Sequence, residues 1–143
     1  MISTKGRYAL RMMIDLAMQD TDKYTPLKDI SERQGISEKY MEIIIKHLVK
    51  HKLIHGLRGK GGGYRLIRNA ADYSVGEILE AVGEQLAPVS CLLPETEPCD
   101  RESACPTIAM WKKFNQLSHD FFYGITLADL TAPKTHRLPN ILK

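Results

Sequence analysis

Two amphipathic helix patterns joined by a tight turn lie between residues 25 and 51, and they constrain the fold more than any other feature. Thr25 supplies an N-cap, Pro26 suits the first helical position, and Gly35 suits the left-handed residue that ends a helix. Ser37 then caps a longer helix. The apolar face of that helix consists of Met41, Ile44, Ile45 and Leu48. Short helix, turn and longer helix together predict a helix-turn-helix.

A glycine-rich stretch follows this motif and predicts a β-hairpin. Leu53-Ile54 and residues 64–67 are strand-like, and the glycines between them suit only a turn. A phosphate-binding P-loop does not fit, because neither Lys-Ser nor Lys-Thr follows the glycines. A hairpin behind a helix-turn-helix is a wing. The predicted fold class is therefore mainly α with a small β-hairpin.

Further helices flank this motif. A first helix begins at Ser3 or Thr4, residues 69–73 are typical of a linker, and a short helix covers residues 75–82. A long helix over residues 106–123 carries an apolar stripe of Met110, Trp111, Phe114, Leu117 and Phe121. A helix this apolar and this far from the amino-terminal core is expected to pack against another chain. We therefore predict a dimerisation helix.

These patterns divide the chain into three parts. Residues 1–70 form the winged helix-turn-helix domain, residues 71–130 the cysteine loop with the dimerisation helix, and residues 131–143 an irregular tail. A hydrophobic fraction of 43% supports a packed core, and no window of the sequence is apolar enough to span a bilayer. The first ten residues lack the apolar region of a signal peptide, so export is not expected.

The charge is distributed unevenly along the chain. Residues 1–70 hold 14 Lys and Arg against 7 Asp and Glu, whereas residues 71–143 hold 6 against 10. A basic half joined to an acidic half is typical of a nucleic-acid reader that carries a sensor or partner region. A positively charged surface that is merely solvated remains the alternative. No Ser/His/Asp, paired-carboxylate or nucleotide-binding constellation is present, so we do not expect an enzyme.

The second helix of the motif presents a polar face opposite its apolar one. That face carries Lys39, Glu42, Lys46 and Lys50, and the wing adds Arg58, Lys60 and Arg65. Cations suit phosphates, and a carboxylate accepts from the N4 amine of cytosine. We predict that these residues bind DNA. The alternative is a solvated face with a Glu42–Lys46 pair one turn apart. His47, His51 and His55 have metal-ligand spacing, but contact with phosphate or solvent is preferred there.

All cysteines of the chain lie within fifteen residues, in a stretch of prolines and acidic residues without helical periodicity: Cys91, Cys99 and Cys105. An odd number of thiols in a chain that is not exported favours metal or redox chemistry over disulfides. Thiolates prefer soft metals, so we predict a metal centre on a loop. Zinc is an alternative, although the usual CxxC pairs are absent. Three separately buried cysteines are the other alternative.

Five segments of this chain resemble one family of bacterial regulators. They are MISTKGRYALRMMIDLA, ISERQGISEKYMEIII, RGKGGGYRL, SVGEILEAV and CPTIAMW. The chain is similar in these segments to the winged-helix regulators that include IscR, NsrR and CymR. The resemblance implies a cytoplasmic homodimer that binds near-palindromic, double-stranded promoter DNA through this domain, with no membrane partner. It also implies an Fe–S cluster on Cys91, Cys99 and Cys105, with 2Fe–2S preferred to 4Fe–4S, and control of iron–sulfur or redox-stress genes.

The chain departs from this family in its cluster ligands. Seven residues separate Cys91 from Cys99, where the family commonly has five. IscR-like members place a histidine where this chain has Ile108, and NsrR-like members place an aspartate where it has Tyr8. The fourth ligand thus stays open among Glu95, Glu97, Asp100, Glu102, His119, a partner-chain residue and a small molecule. A structural zinc is one alternative to the cluster. The other is a metal-free, CymR-like regulator signalled by a partner protein or small molecule.

Overall fold

A computed structural model describes residues 1–131 of the chain. Within this part the elements are α1 (Thr4–Ala17), α2 (Leu27–Gln34), α3 (Glu38–Lys50), β1 (Ile54–Leu57), β2 (Gly63–Leu66), α4 (Val75–Ala81), α5 (Ile108–Tyr123) and α6 (Leu127–Thr131). The two strands form an antiparallel hairpin. This mainly helical fold with one hairpin confirms the predicted winged helix. Of the predicted tail, Thr131 is the last residue of α6 and the rest lies outside the described residues.

Local capping signals set the ends of the first three helices. The Ser3 hydroxyl accepts from the Gly6 amide at 3.2 Å, and the Ser37 hydroxyl accepts from the Tyr40 amide at 3.3 Å. Gly35 ends α2 with φ at 63°, a conformation that favours glycine. The four apolar residues predicted for the inner face of α3 are all buried. They pack with residues of α1 and Ile30 of α2 in one core.

The prediction that Thr25 caps α2 is wrong. Pro26 precedes the helix, and no side-chain cap bond is made there. Thr25 instead pairs with Tyr64 of β2, with N–O distances of 2.8 and 2.9 Å, and so extends the hairpin by a bridge. A Cβ on Gly63 would lie 2.2 Å from the Thr25 carbonyl oxygen, so this pairing requires glycine at position 63.

The segment predicted as a linker, residues 69–73, is packed structure. Ala70–Asp72 form a 3-10 turn, and the following Tyr73 is completely buried. The Tyr73 hydroxyl accepts from the amides of Ile67 and Arg68, both at 2.9 Å, and donates to the Leu53 carbonyl at 2.7 Å. Tyr73 therefore ties the chain before β1 to the chain after β2. No sequence pattern indicates this role, because the three partners of the hydroxyl are set by the tertiary fold.

The long helix α5 lies on the outside of the fold. None of its residues is buried, and Met110, Phe114 and Leu117 are 54%, 54% and 47% exposed. Its carboxyl-terminal end is attached, because Phe121 packs on a small apolar cluster and the Tyr123 ring lies against Gly76 of α4. Thr126 and Asp129 then form a capping box at the start of α6. No helix in the described part of the chain has the length and apolarity needed to cross a membrane.

Candidate DNA interface and cysteine loop

The outer face of α3 carries the four residues predicted to meet DNA. Lys39, Glu42, Lys46 and Lys50 are all exposed, on the side of the helix opposite its buried residues. Nothing in the described fold covers this face, so it is available to a partner. One further residue of this face was not among those predicted. Ile43 is a large aliphatic side chain that is 48% exposed among these cations.

The wing places its cations in two different settings. Arg58 and Lys60 are exposed in the turn between β1 and β2. Arg65 lies within β2, and its guanidinium stacks over the Tyr24 ring at 4.8 Å from the centroid. The Tyr24 hydroxyl in turn bonds His55 Nδ1 at 2.8 Å. The structure thus holds Arg65 at the body of the wing and leaves Arg58 and Lys60 at its tip.

The three histidines with metal-ligand spacing have other partners. His51 Nδ1 lies 2.9 Å from the His47 carbonyl oxygen, and His55 bonds Tyr24. Burial, followed by the charges of Lys5, His51 and Lys50, lowers the pKa of His47. His47 therefore loses its proton at a lower pH than an unperturbed histidine does. Contact of these histidines with phosphate or solvent stays a prediction.

Tyr8, at the position where the resemblance to NsrR-like regulators implies an aspartate, packs between α1 and α3. Its ring packs edge-on against Tyr40 of α3, with centroids 5.5 Å apart. The Arg11 guanidinium lies 5.3 Å from the centroid of the same ring. Tyr8 thus joins α1 to α3 directly behind the candidate DNA-reading helix.

The three cysteines lie on the surface between α4 and α5. Cys91 and Cys99 are exposed, Cys105 is half-buried, and all three are free thiols. The alternative of three separately buried cysteines is therefore wrong. In the described part of the chain, no three His, Cys, Asp or Glu side chains gather into a metal-binding group. The sequence prediction of a loop is confirmed, with short 3-10 turns at Ser90–Leu92 and Glu102–Ala104.

The chemistry of the donor set fits a thiophilic metal. Hydrogen bonds from the Thr107 hydroxyl and then from the Thr107 backbone lower the pKa of the Cys105 thiol. The Cys105 Sγ and Thr107 Oγ1 atoms are 3.5 Å apart. No buried residue anchors the chain from 84 to 107, so ligand binding can bring the thiols together without breaking a core. Three free, accessible thiols on such a segment suit an Fe–S cluster or zinc.

A cavity of about 570 Å³ separates the start of the cysteine loop from α4 and α5. Its walls include Glu80, Glu84, Glu95 and His119. Two of the candidate fourth ligands, Glu95 and His119, thus face one cavity. A third candidate, Glu102, forms an ion pair with Lys112 of α5. His119 stacks on Tyr123 with ring centroids 4.3 Å apart, and this contact orients the imidazole.

Comparisons with known proteins agree with this architecture. The Rrf2 family, described as iron-dependent transcriptional regulators, matches residues 2–133. The HTH-type transcriptional regulator IscR of Yersinia pseudotuberculosis is 39% identical over 129 residues, which are 90% of this chain and 77% of that protein. The structure of CymR, the global cysteine regulator of B. subtilis, is 31% identical with a TM-score of 0.74, covering 94% of this chain and 98% of that one. The structure of T. potens IscR is 35% identical with a TM-score of 0.71, covering 91% and 85% respectively.

The fold and the exposed cationic helix define a winged-helix transcriptional regulator, a class of protein that binds DNA. Within that class the chain belongs to the Rrf2 family, over nearly all of its length. The family resemblance found in the sequence segments is thereby confirmed.

Proposed function

We propose that the protein is a homodimeric transcription regulator whose affinity for promoter DNA is controlled by an Fe–S cluster on Cys91, Cys99 and Cys105. The observation that carries this proposal is the set of three free thiols on one surface segment between the wing domain and α5. The iron dependence named for the Rrf2 family supports it. When bound, the cluster supplies reversible redox chemistry and sensitivity to cluster supply.

The residues of the DNA-reading surface have distinct roles in this proposal. Lys39, Lys46 and Lys50 of α3, with Arg58 and Lys60 of the wing, neutralise phosphates, and Arg65 supports the wing through Tyr24. Glu42 accepts from the N4 amine of a cytosine in the major groove. Tyr73 holds the wing next to the end of α3 in this proposal, because the Tyr73 hydroxyl bonds the chain on both sides of the hairpin.

Control of DNA binding follows from the order of the elements. The cysteine segment lies between α4, which packs on the DNA-binding core, and α5, whose exposed stripe we propose joins two subunits. A change in this segment alters how α5 sits on α4, and therefore the distance between the two α3 helices of the dimer. That distance must match half-sites about 34–36 Å apart. The proposal keeps residues 1–70 as the reading domain and residues 71–130 as the sensing and dimerisation region.

A metal-free regulator is the second candidate. It is favoured by the similarity in fold to CymR and by the lack of convergence of the thiols among the described residues. In that case the cavity lined by Glu95 and His119 is the candidate place for a small-molecule signal. Zinc on the same thiols is the remaining alternative.

The two candidates separate in one experiment. Protein purified without oxygen is analysed for iron, sulfide and zinc and its visible spectrum is recorded, for wild type and for Cys91→Ala, Cys99→Ala and Cys105→Ala. Ser103→Ala, an exposed residue of the same segment, is the matched control. DNA fragments selected from a random pool by the wild type then serve to measure affinity for each form by fluorescence anisotropy.

We expect sulfide-to-iron absorption bands in wild type and Ser103→Ala, loss of these bands in each cysteine variant, and a changed DNA affinity on cluster loss. A colourless protein that binds zinc through the same cysteines supports the zinc site instead. A colourless protein without metal, which binds DNA equally well in all variants, overturns cluster control and leaves the metal-free regulator.

A further inference from the structure

One exposed aliphatic side chain on α3 has no role in the proposed phosphate contacts. Ile43 is 48% exposed, whereas the core-facing Met41, Ile44 and Ile45 of the same helix are buried. Leaving part of a side chain of this size in water forgoes hydrophobic stabilisation. A single exposed apolar residue is common on protein surfaces, so its surroundings decide whether it has a partner.

The surroundings of Ile43 are cationic. At 3.6 residues per turn, Ile43 stands about 40° from Lys39, about 60° from Lys46 and about 20° from Lys50 around the helix axis. All three lysines are exposed. All three lie on the same side of Ile43, so Ile43 borders the stripe that the lysines define and stands next to Lys50 around the axis. The positive charges beside Ile43 attract a polyanion and disfavour most apolar protein surfaces. Charge complementarity therefore selects duplex DNA as the partner that Ile43 contacts.

DNA offers one apolar group to such a residue. In the major groove only thymine carries a C5-methyl group, and aliphatic side chains contact it. We infer that Ile43 is a specificity-determining residue that reads the methyl group of a thymine in each half-site. This inference rests on the proposed DNA-binding function and adds a base contact to it. Its position one residue after Glu42 predicts a thymine close to the cytosine that Glu42 reads.

The test removes the methyl group from the DNA and the side chain from the protein. The wild type first selects its sites from a random DNA pool. Each thymine of the selected half-site is then replaced singly by deoxyuridine, which lacks only the C5-methyl group. Affinities of wild type and Ile43→Ala for all these duplexes are measured by fluorescence anisotropy at one salt concentration.

At one position, deoxyuridine should weaken wild-type binding about fourfold. This factor corresponds to about 0.8 kcal/mol for one buried methyl group, at 1.4 kcal/mol for each tenfold change in affinity. At that position Ile43→Ala should bind thymine and deoxyuridine duplexes equally well. Val49→Ala is the matched control, because Val49 is a second exposed aliphatic residue of α3, 41% exposed. Six residues further on, it lies about 120° around the helix from Ile43, on the other side of the lysine stripe. This variant should keep the wild-type response to deoxyuridine.

The outcomes distinguish this inference from the proposed function on which it rests. If the wild type binds DNA and no deoxyuridine substitution acts differently on wild type and Ile43→Ala, the methyl contact is wrong while DNA binding stands. If the pool yields no sites at all, the proposed DNA-binding function itself fails. Circular dichroism of both variants should match the wild type, since neither side chain is buried.

Discussion

Asp15 of α1 and Arg33 of α2 form a two-pronged ion pair at the base of the helix-turn-helix. Arg33 Nε donates to Asp15 Oδ2 at 3.0 Å, and Arg33 Nη2 donates to Oδ1 at 2.7 Å. Gln34 Nε2 adds a third bond to the carboxylate at 2.8 Å. The Asp15 side chain is 3% exposed, whereas that of Arg33 is 39% exposed. The carboxylate thus depends on its partners, and the guanidinium keeps access to water.

This asymmetry predicts unequal effects of removing either partner. Arg33→Leu leaves the buried Asp15 charge with Gln34 alone and should lower the free energy of unfolding by about 3–5 kcal/mol. Asp15→Asn leaves an Arg33 that turns to solvent and should cost about 1–3 kcal/mol. Urea titration at one protein concentration measures both. Lys23→Ala, which breaks the exposed pair with Asp20, is the control and should change nothing measurable. Equal losses for Asp15 and Arg33 would contradict the asymmetry.

Glu84 predicts a pH dependence of stability. Burial raises the pKa of Glu84, but hydrogen bonds from the Ser3 side chain and backbone, the Gly6 backbone and the charge of Lys5 together lower it below its ordinary 4.5. A folded-state pKa below the unfolded value stabilises the native state above the unfolded pKa, and this stability is lost as pH falls through the folded value.

Wild type should therefore melt at a higher temperature than Glu84→Gln at neutral pH, and the gap should close as pH falls below 4.5 and through the lower folded-state pKa. Thermal unfolding followed by circular dichroism gives both curves. In a Ser3→Ala background the gap should shrink, because the Ser3 hydroxyl donor is gone. A gap that stays constant with pH would show that the Glu84 carboxylate does not act through its charge.

DNA binding should depend steeply on salt through the lysines of α3. Replacing Lys46 with Ala removes one phosphate contact, so the slope of log affinity against log salt should fall by about 1, with similar weakening for all sequences. Anisotropy titrations at several salt concentrations measure the slope. Lys113→Ala removes an exposed lysine of α5 instead and should leave the slope unchanged. An unaltered slope in Lys46→Ala would take Lys46 out of the interface.

The proposed dimer should separate when charge enters the stripe of α5. Phe114 is 54% exposed in the subunit, so Phe114→Asp should give folded monomers in analytical ultracentrifugation. Phe121, in contrast, packs on Val75, Leu79 and Ile125, so Phe121→Asp should also destabilise the subunit itself. Gln116→Asp adds the same charge off the stripe and should remain dimeric. A folded Phe114→Asp dimer would place the interface elsewhere.

A cluster in this protein should be labile because Ile108 stands where the resemblance to IscR-like regulators implies a histidine ligand. Ile108→His should slow the bleaching of anaerobically reconstituted protein in air, since ligand identity and exposure set cluster lability. Absorbance over time after exposure to air measures this rate. Ile108→Leu changes the side chain without adding a ligand and should bleach like wild type. Bleaching of Ile108→His at the wild-type rate or faster would mean that another group completes the site.

Much of the winged helix was predictable because its signals are local. Ser3, Gly35 and Ser37 mark helix ends through bonds to residues a few positions away, and the buried face of α3 follows from helical spacing. Ile43 carried a signal too, as an apolar residue on the polar face of that helix. The cap predicted at Thr25 is wrong because threonine suits both an N-cap and a strand, and only the tertiary structure brings the Thr25 backbone against Gly63.

By itself the sequence determined the order of helices, the wing, the exposed cations of α3 and the gathering of three thiols between α4 and α5. Only the tertiary structure decided that Asp15 is buried with Arg33, that Tyr73 closes the hairpin, and that His119 shares a cavity with Glu95. The physical reason is the separation of the partners along the chain. Short-range bonds and helical periodicity depend on residues that are close together in the sequence, whereas contacts between distant residues depend on how the elements pack.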